Sequence, residues 1–235
     1  MWTPQIEALA TNFQVIAPDL RGYGKSAINE SDASKGVDMA TYARDVAGLL
    51  DCLQVREPII LCGFSMGGYI LWQLIKQSPE RIRALILCDT RAAADSPEAS
   101  AARLTMAKTI TDTGVEPVVE SLVPKLLAAD TFAKHPEIVE QVSTMIRTAS
   151  PPAIAASQRG MARREDVMAE LANFDWPALV IAGREDAISS PAEMRGIAEQ
   201  MPQAKFVEIA GAGHMTVLEN PSAVNQEMLD FADSL

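Results

Sequence analysis

The clearest chemistry in the chain sits in Gly63-Phe64-Ser65-Met66-Gly67. A serine between glycines, behind the apolar run Ile59 to Cys62 and ahead of the longer apolar run Tyr69 to Ile75, has the strand–turn–helix setting that lifts a hydroxyl clear of a sheet. A hydroxyl so placed is a nucleophile for a carbonyl carbon. Gly63 and Gly67 carry no Cβ, so strand and helix are expected to approach closely on either side of Ser65. A helix starting just after Ser65 turns the Met66 N–H and its own positive end toward the reacting centre, which makes Met66 the expected oxyanion donor.

A serine nucleophile needs a base, and the sequence has two histidines, His135 and His214. His135 precedes Pro136 in a stretch with no strand to support it. His214 closes Gly211-Ala212-Gly213-His214, a turn after the strand-like Phe206 to Ile209, and is the expected base. The base in turn needs a carboxylate to fix its tautomer and stabilise the imidazolium. Asp186, just past Ala178 to Ala182, gives the chain order Ser, Asp, His. Glu185 beside it and Asp89 at the end of Ala84 to Cys88 are the competing carboxylates. Each group lies beyond the end of a strand, the edge at which open α/β sheets bind ligands.

The elements that must position these groups follow from the apolar pattern. A short helix is expected over 4–12 with Ile6 and Leu9 on one face, then a first strand from Phe13 to Ala17, then a hydrogen-bonded turn over 19–26. Position 19 is Asp where a Walker loop needs Gly, and residues 28–37 are polar and do not read as the helix that a dinucleotide fingerprint requires. Asp38 is the expected N-cap of a helix to Leu53 with Tyr42, Val46, Leu49, Leu50 and Leu53 on one stripe. Ile59 to Cys62 reads as a strand buried on both faces, and Ala84 to Cys88 as the next strand. Strands and helices alternating at this rhythm give an α/β fold built on a mostly parallel sheet. From 96 to 173 the rhythm stops, and Pro117, Pro124, Pro136, Pro151 and Pro152 divide an Ala-, Glu- and Met-rich stretch into short helices. The organisation expected is therefore 1–95 as the first part of an α/β core, 96–173 as a helical cap over the sheet, and 174–235 as the rest of the core.

At 235 residues the chain is long enough to bury a full core. Its net charge of −11 argues against nucleic acid and against an anionic membrane surface as partners. No stretch approaches the roughly 18 apolar residues of a membrane span. Cys52, Cys62 and Cys88 lack metal-ligand spacing, and Cys62 and Cys88 are expected as buried free thiols. Met1-Trp2-Thr3-Pro4 has neither the basic nor the apolar region of a signal peptide, so a cytoplasmic location is the expectation.

Together, Pro18-Asp19-x-Arg21-Gly22-x-Gly24-x-Ser26, Gly63-Phe64-Ser65-Met66-Gly67-Gly68, Gly183-x-x-Asp186 and Gly213-His214 resemble the motifs of α/β-hydrolases. Leu87 to Glu98 resembles small carboxylesterases close to oxoadipate enol-lactonases. The resemblance implies cleavage of small carboxylic esters or lactones without a cofactor, with Ser65 as nucleophile, His214 as general base and acid, Asp186 as its orienter and the Met66 N–H as one oxyanion donor. The elbow sequence is also similar to that of perhydrolases and haloperoxidases, and a binding or scaffold homologue that keeps the triad is a further reading.

Members of that superfamily usually carry further strands and a His-Gly loop, source of a second oxyanion N–H, ahead of a segment like Trp2-x-Pro4-Gln5. In their sheet order the third strand lies between the strand of Val15 and the strand of Leu61. Its absence is expected to open the middle of the sheet, at roughly 1–3 kcal/mol for each backbone group left buried and unpaired. A start placed too late, a truncation that re-pairs its strands and a second subunit filling the gap (a homo-oligomer) are the three explanations.

Overall fold

The apolar runs at 59–62, 84–88, 178–182 and 206–209 form one sheet in a computed structural model that describes residues 1–235. Its strands are β1 (Ile59–Phe64), β2 (Ile82–Cys88), β3 (Ala178–Gly183) and β4 (Ala204–Ile209), ordered β1-β2-β3-β4 with every neighbouring pair parallel. Side chains alternate across β2 as the pleat requires. Leu85 and Leu87 face one apolar cluster, whereas Ala84, Ile86 and Cys88 face another.

Helices cover both faces. On the first lie α3 (Met39–Cys52) and α4 (Met66–Gln77), with Tyr42, Leu71 and Leu74 buried against the sheet, and α10 (Pro191–Gln200) with Met194 and Ile197. Asp38 caps α3 as expected, accepting the Thr41 N–H at 2.7 Å. On the second face α12 (Pro221–Asp233) places Val224, Met228 and Phe231 against Leu179 and Ile181. The result is a mixed α/β architecture, a small parallel sheet between helical layers.

The proline-rich stretch forms α5 (Pro97–Thr113), α6 (Glu116–Leu126), α7 (Ala129–Lys134), α8 (Pro136–Thr148) and α9 (Pro151–Met161). Pro97, Pro117, Pro136 and Pro151 occupy the first turns of their helices, where a missing N–H costs nothing. Pro124 instead lies inside α6. Both ends of this helical stretch meet at a buried ion cluster. Asp95 receives Arg103 Nε at 2.6 Å and Arg164 Nη1 at 2.5 Å, and the Arg164 guanidinium lies 4.4 Å from the Tyr69 ring centroid on α4. Helix α9 is tied to the core through Tyr23, whose hydroxyl is 2.6 Å from Ser157 Oγ, and through the Val37 N–H, which donates to Ala156 O.

Several sequence expectations are corrected. Phe13 to Ala17 forms no strand, because residues 14–18 make no backbone hydrogen bond to any neighbour and are largely exposed. Correspondingly, β1 pairs on one side only, so Ile59, Ile60 and Leu61 are half-buried and Cys62 is exposed rather than buried. Cys88, on the interior strand β2, is buried, and its thiol is pushed up by the neighbouring Cys62 thiol and by burial. In α1 (Thr3–Leu9) the buried residue is Gln5, bonded to Val217 O and Asn225, while Ile6 faces solvent. Residues Glu30–Lys35, expected to be non-helical, form the short α2 behind an Asn29 cap. Leu53, at the end of the α3 stripe, is exposed.

Candidate active site

The turn at Ser65 is sharp because the backbone there is forced. Ser65 has φ 49° and ψ −113°, outside the regions that L-residues populate freely, and α4 starts at the next residue. The carbonyl of Ser65 accepts the Thr90 hydroxyl at 2.6 Å, and its N–H donates to Cys88 O at 2.9 Å. The Met66 N–H, at the first helical position, has no intrahelical partner and is free to donate outward. A Cβ on Gly63 would sit 2.7 Å from the backbone of Gly67 and Gly68, so the expected close approach of strand and helix is real at Gly63. Gly67 has open space where its Cβ would be. The second tight contact belongs to Gly68, whose Cβ would collide with the Thr90 side chain.

The three residues read from chain order meet beyond the ends of β1, β3 and β4. His214 Nε2 lies 2.9 Å from Ser65 Oγ, and His214 Nδ1 lies 2.8 Å from Asp186 Oδ2. A carboxylate can only accept from Nδ1, which leaves Nε2 to accept the serine hydroxyl. Asp186 Oδ1 takes the N–H groups of Ile188 and Ser189 at 2.7 and 3.0 Å, an Asx-type turn that fixes the carboxylate. His214 and Asp186 are 2% and 4% exposed, so their pair is shielded from water. The Phe64 ring lies against the imidazole with centroids 5.3 Å apart, and Trp2 lies edge-on to Phe64.

The competitors are placed elsewhere. Glu185 is exposed. His135 is exposed on the helical stretch, its Nδ1 3.0 Å from Glu137. Asp89 is fully buried and structural: Gly183 N–H donates to its Oδ1 at 2.9 Å, the Thr216 hydroxyl to its Oδ2, and its carbonyl accepts from Ser189 Oγ. Burial pushes its carboxyl well above the usual carboxylate range. Like Ser65, one residue beyond the register pair Phe64–Cys88, it has positive φ (47°). Arg91, after the end of β2, donates to Ile188 O and pairs with Glu193, which braces the loop after Asp186. Thr90 is the residue the sequence did not single out. Its only local signal was its place after a strand end beside Asp89.

A family model described as alpha/beta hydrolase fold matches residues 1–221. Among curated proteins the chain is 29% identical over 225 residues to 3-oxoadipate enol-lactonase 2 of Acinetobacter baylyi, covering 96% of this chain and 80% of that one. Among solved structures it resembles a thermophilic esterase from Thermogutta terrifontis, solved with malate bound. That chain is 39% identical with a TM-score of 0.95, and the match covers 99% of this chain and 84% of the esterase. It also resembles the enol-lactonase from Burkholderia xenovorans LB400, at 28% identity and a TM-score of 0.88, over 99% and 85% of the two chains. With its serine, histidine and aspartate in hydrogen-bonded sequence on this sheet, the chain is a serine hydrolase and belongs to the α/β-hydrolase family.

Proposed function

We propose that this chain cleaves small carboxylic esters or lactones with Ser65 as nucleophile, His214 as general base and acid, and Asp186 as its orienter. The observation that carries the reading is the continuous relay from Ser65 Oγ through the imidazole to Asp186, at 2.9 and 2.8 Å. Ser65 Oγ attacks the carbonyl carbon while His214 Nε2 takes the hydroxyl proton. The tetrahedral oxyanion faces the Met66 N–H at the start of α4, where the helix dipole adds to the single hydrogen bond. Collapse breaks the carbonyl–alkoxy bond, and the imidazolium gives its proton to the departing oxygen. Water then attacks the acyl-serine carbonyl, losing its proton to His214; collapse breaks the acyl–Oγ bond, the imidazolium returns its proton to Ser65 Oγ, and the carboxylic acid leaves.

The α6–α7 junction supports a role for 96–173 as a cap over the site. The Met215 N–H, next to His214, donates to Leu126 O at 3.2 Å, and Val123, Leu126 and Leu127 pack with Met215 and Leu218. The enol-lactonase and esterase relatives favour substrates of the same class. No helix is long and apolar enough to cross a membrane.

Hydrolysis of p-nitrophenyl acetate and butyrate tests the proposal, with Ser65→Ala as control. Wild type should turn over, and the variant should lose roughly 10⁴–10⁶-fold in kcat. Equal rates for both, in folded samples, would rule out Ser65 as nucleophile.

A further inference from the structure

The short helix α11 (Thr216–Glu219) starts two residues after His214, and its last residue gathers an unusual set of donors. Glu219 Oε1 accepts the N–H of Gly213 at 2.8 Å and of Met215 at 3.2 Å, the two residues that flank His214. Glu219 Oε2 accepts the Ala128 N–H at 2.7 Å and the Thr131 hydroxyl at 2.6 Å, both from the helical stretch across the site. One carboxylate therefore holds the backbone on either side of the imidazole and fastens it to the α6–α7 junction. The two surfaces are in direct contact, since a Cβ on Gly213 would lie 2.7 Å from Ala128 N. Gly213, His214, Met215, Ala128 and Thr131 are buried, and Glu219 itself is half-buried.

We propose that Glu219 is a positioning residue for His214, setting the reach of the imidazole to Ser65 and making that reach depend on the seating of residues 126–131. The inference rests on the assignment of His214 as base. The carboxylate touches neither substrate nor Ser65, and acts by fixing the main chain from which the imidazole projects. A pair of hydrogen bonds straddling one residue restrains both translation of its Cα and rotation of its peptide planes. Losing them frees the ring to move by fractions of an ångström, a scale at which oriented catalysis is sensitive.

The test compares wild type, Glu219→Gln and Ser65→Ala, with p-nitrophenyl butyrate kinetics and the downfield proton resonance of the His214 Nδ1–H···Asp186 bond as separate readouts. Gln keeps one acceptor oxygen but meets the opposite pair of donors with an NH₂ group, so it halves the clamp while keeping volume. A kcat reduced about 10–100-fold with KM within about threefold, together with a shifted or lost imidazole resonance, is the expected result. A kcat and resonance both like wild type would overturn the proposal. So would a lower kcat with an unmoved resonance, because the loss would then not come from His214. If wild type itself matches Ser65→Ala, the hydrolase reading fails, and the resonance alone decides whether Glu219 positions the ring. Should Glu219→Gln not fold, Thr131→Val removes one donor of the same clamp and is expected to shift the resonance in the same direction, an unshifted line overturning the proposal.

Discussion

The two sides of the active site are held by different forces. On the acid–base side, Asp186 and His214 are nearly inaccessible and sit in a lattice of hydrogen bonds: Ile188 and Ser189 on the aspartate, and Asp89 joining the Gly183 N–H to Thr216. They project from β3 and β4, and β3 is buried along its whole length. On the nucleophile side, Ser65 follows the edge strand β1, is half-buried, and makes no side-chain cap to its own helix. What fixes it is its main chain: the close contacts that Gly63 and Gly68 permit, the bonds of its N–H to Cys88 O and of its carbonyl to the Thr90 hydroxyl, and a φ that only surrounding structure can enforce. Hydrogen bonds to side chains orient the base, whereas a forced main chain orients the nucleophile.

If that division is right, each side should break in its own way. Asp186→Asn keeps the shape but removes the acceptor that fixes the Nδ1–H tautomer, and should lower kcat by roughly 10⁴-fold with little loss of stability. A loss below tenfold would show that another carboxylate serves. Gly63→Ala adds one methyl group against the backbone of α4. It should lower Tm by about 2–12 °C, from an overpacking cost of about 1–3 kcal/mol, and reduce kcat with it. Gly67→Ala, two positions into the same helix but facing open space, should change stability by less than about 1 kcal/mol. Melting curves of the two variants check the contrast directly, and equal losses would contradict it.

The smallest effect concerns Asp89. Burial keeps it protonated in the folded chain beyond the pH at which the unfolded chain releases the proton, around pH 4. A folded value raised in this way contributes stability that is complete in acid and lost as pH rises toward the folded value. Asp89→Asn, neutral throughout and able to bond both Gly183 and Thr216, should match wild type near pH 4. Its Tm should rise relative to wild type as the pH goes from 4 to 8. A Tm difference that stays constant between those values would refute the protonated state.

What the sequence made legible was local. The elbow at Ser65, the Asp38 cap and the prolines that open helices depend on residues within a turn or two of one another, and Ser65, Asp186 and His214 were each found by their place just past an apolar run. What it concealed depended on partners far away in the chain. Phe13 to Ala17 has the composition of a strand, but a strand exists only where a neighbour supplies hydrogen bonds, and none lies beside it. The same missing neighbour explains why Ile59 to Cys62 is not buried on both faces, since an apolar run cannot report which side of its sheet is open. Gln5 took the inward position expected of Ile6 because Val217 and Asn225, more than 200 residues away, accept and share its amide. Glu219 looked like any acid before a helix-starting proline, and its partners Ala128 and Thr131 lie 91 and 88 residues back.

The forced backbone at Ser65 carries a consequence for how such a protein can change. Conformations of this kind cost about 1–3 kcal/mol wherever a side chain occupies them, and glycine would relax most of that burden. The position that does the chemistry is therefore one where a more comfortable residue is always within reach, at the expense of the reaction. Selection for robustness alone would erode this site first, and only selection for turnover keeps a serine there.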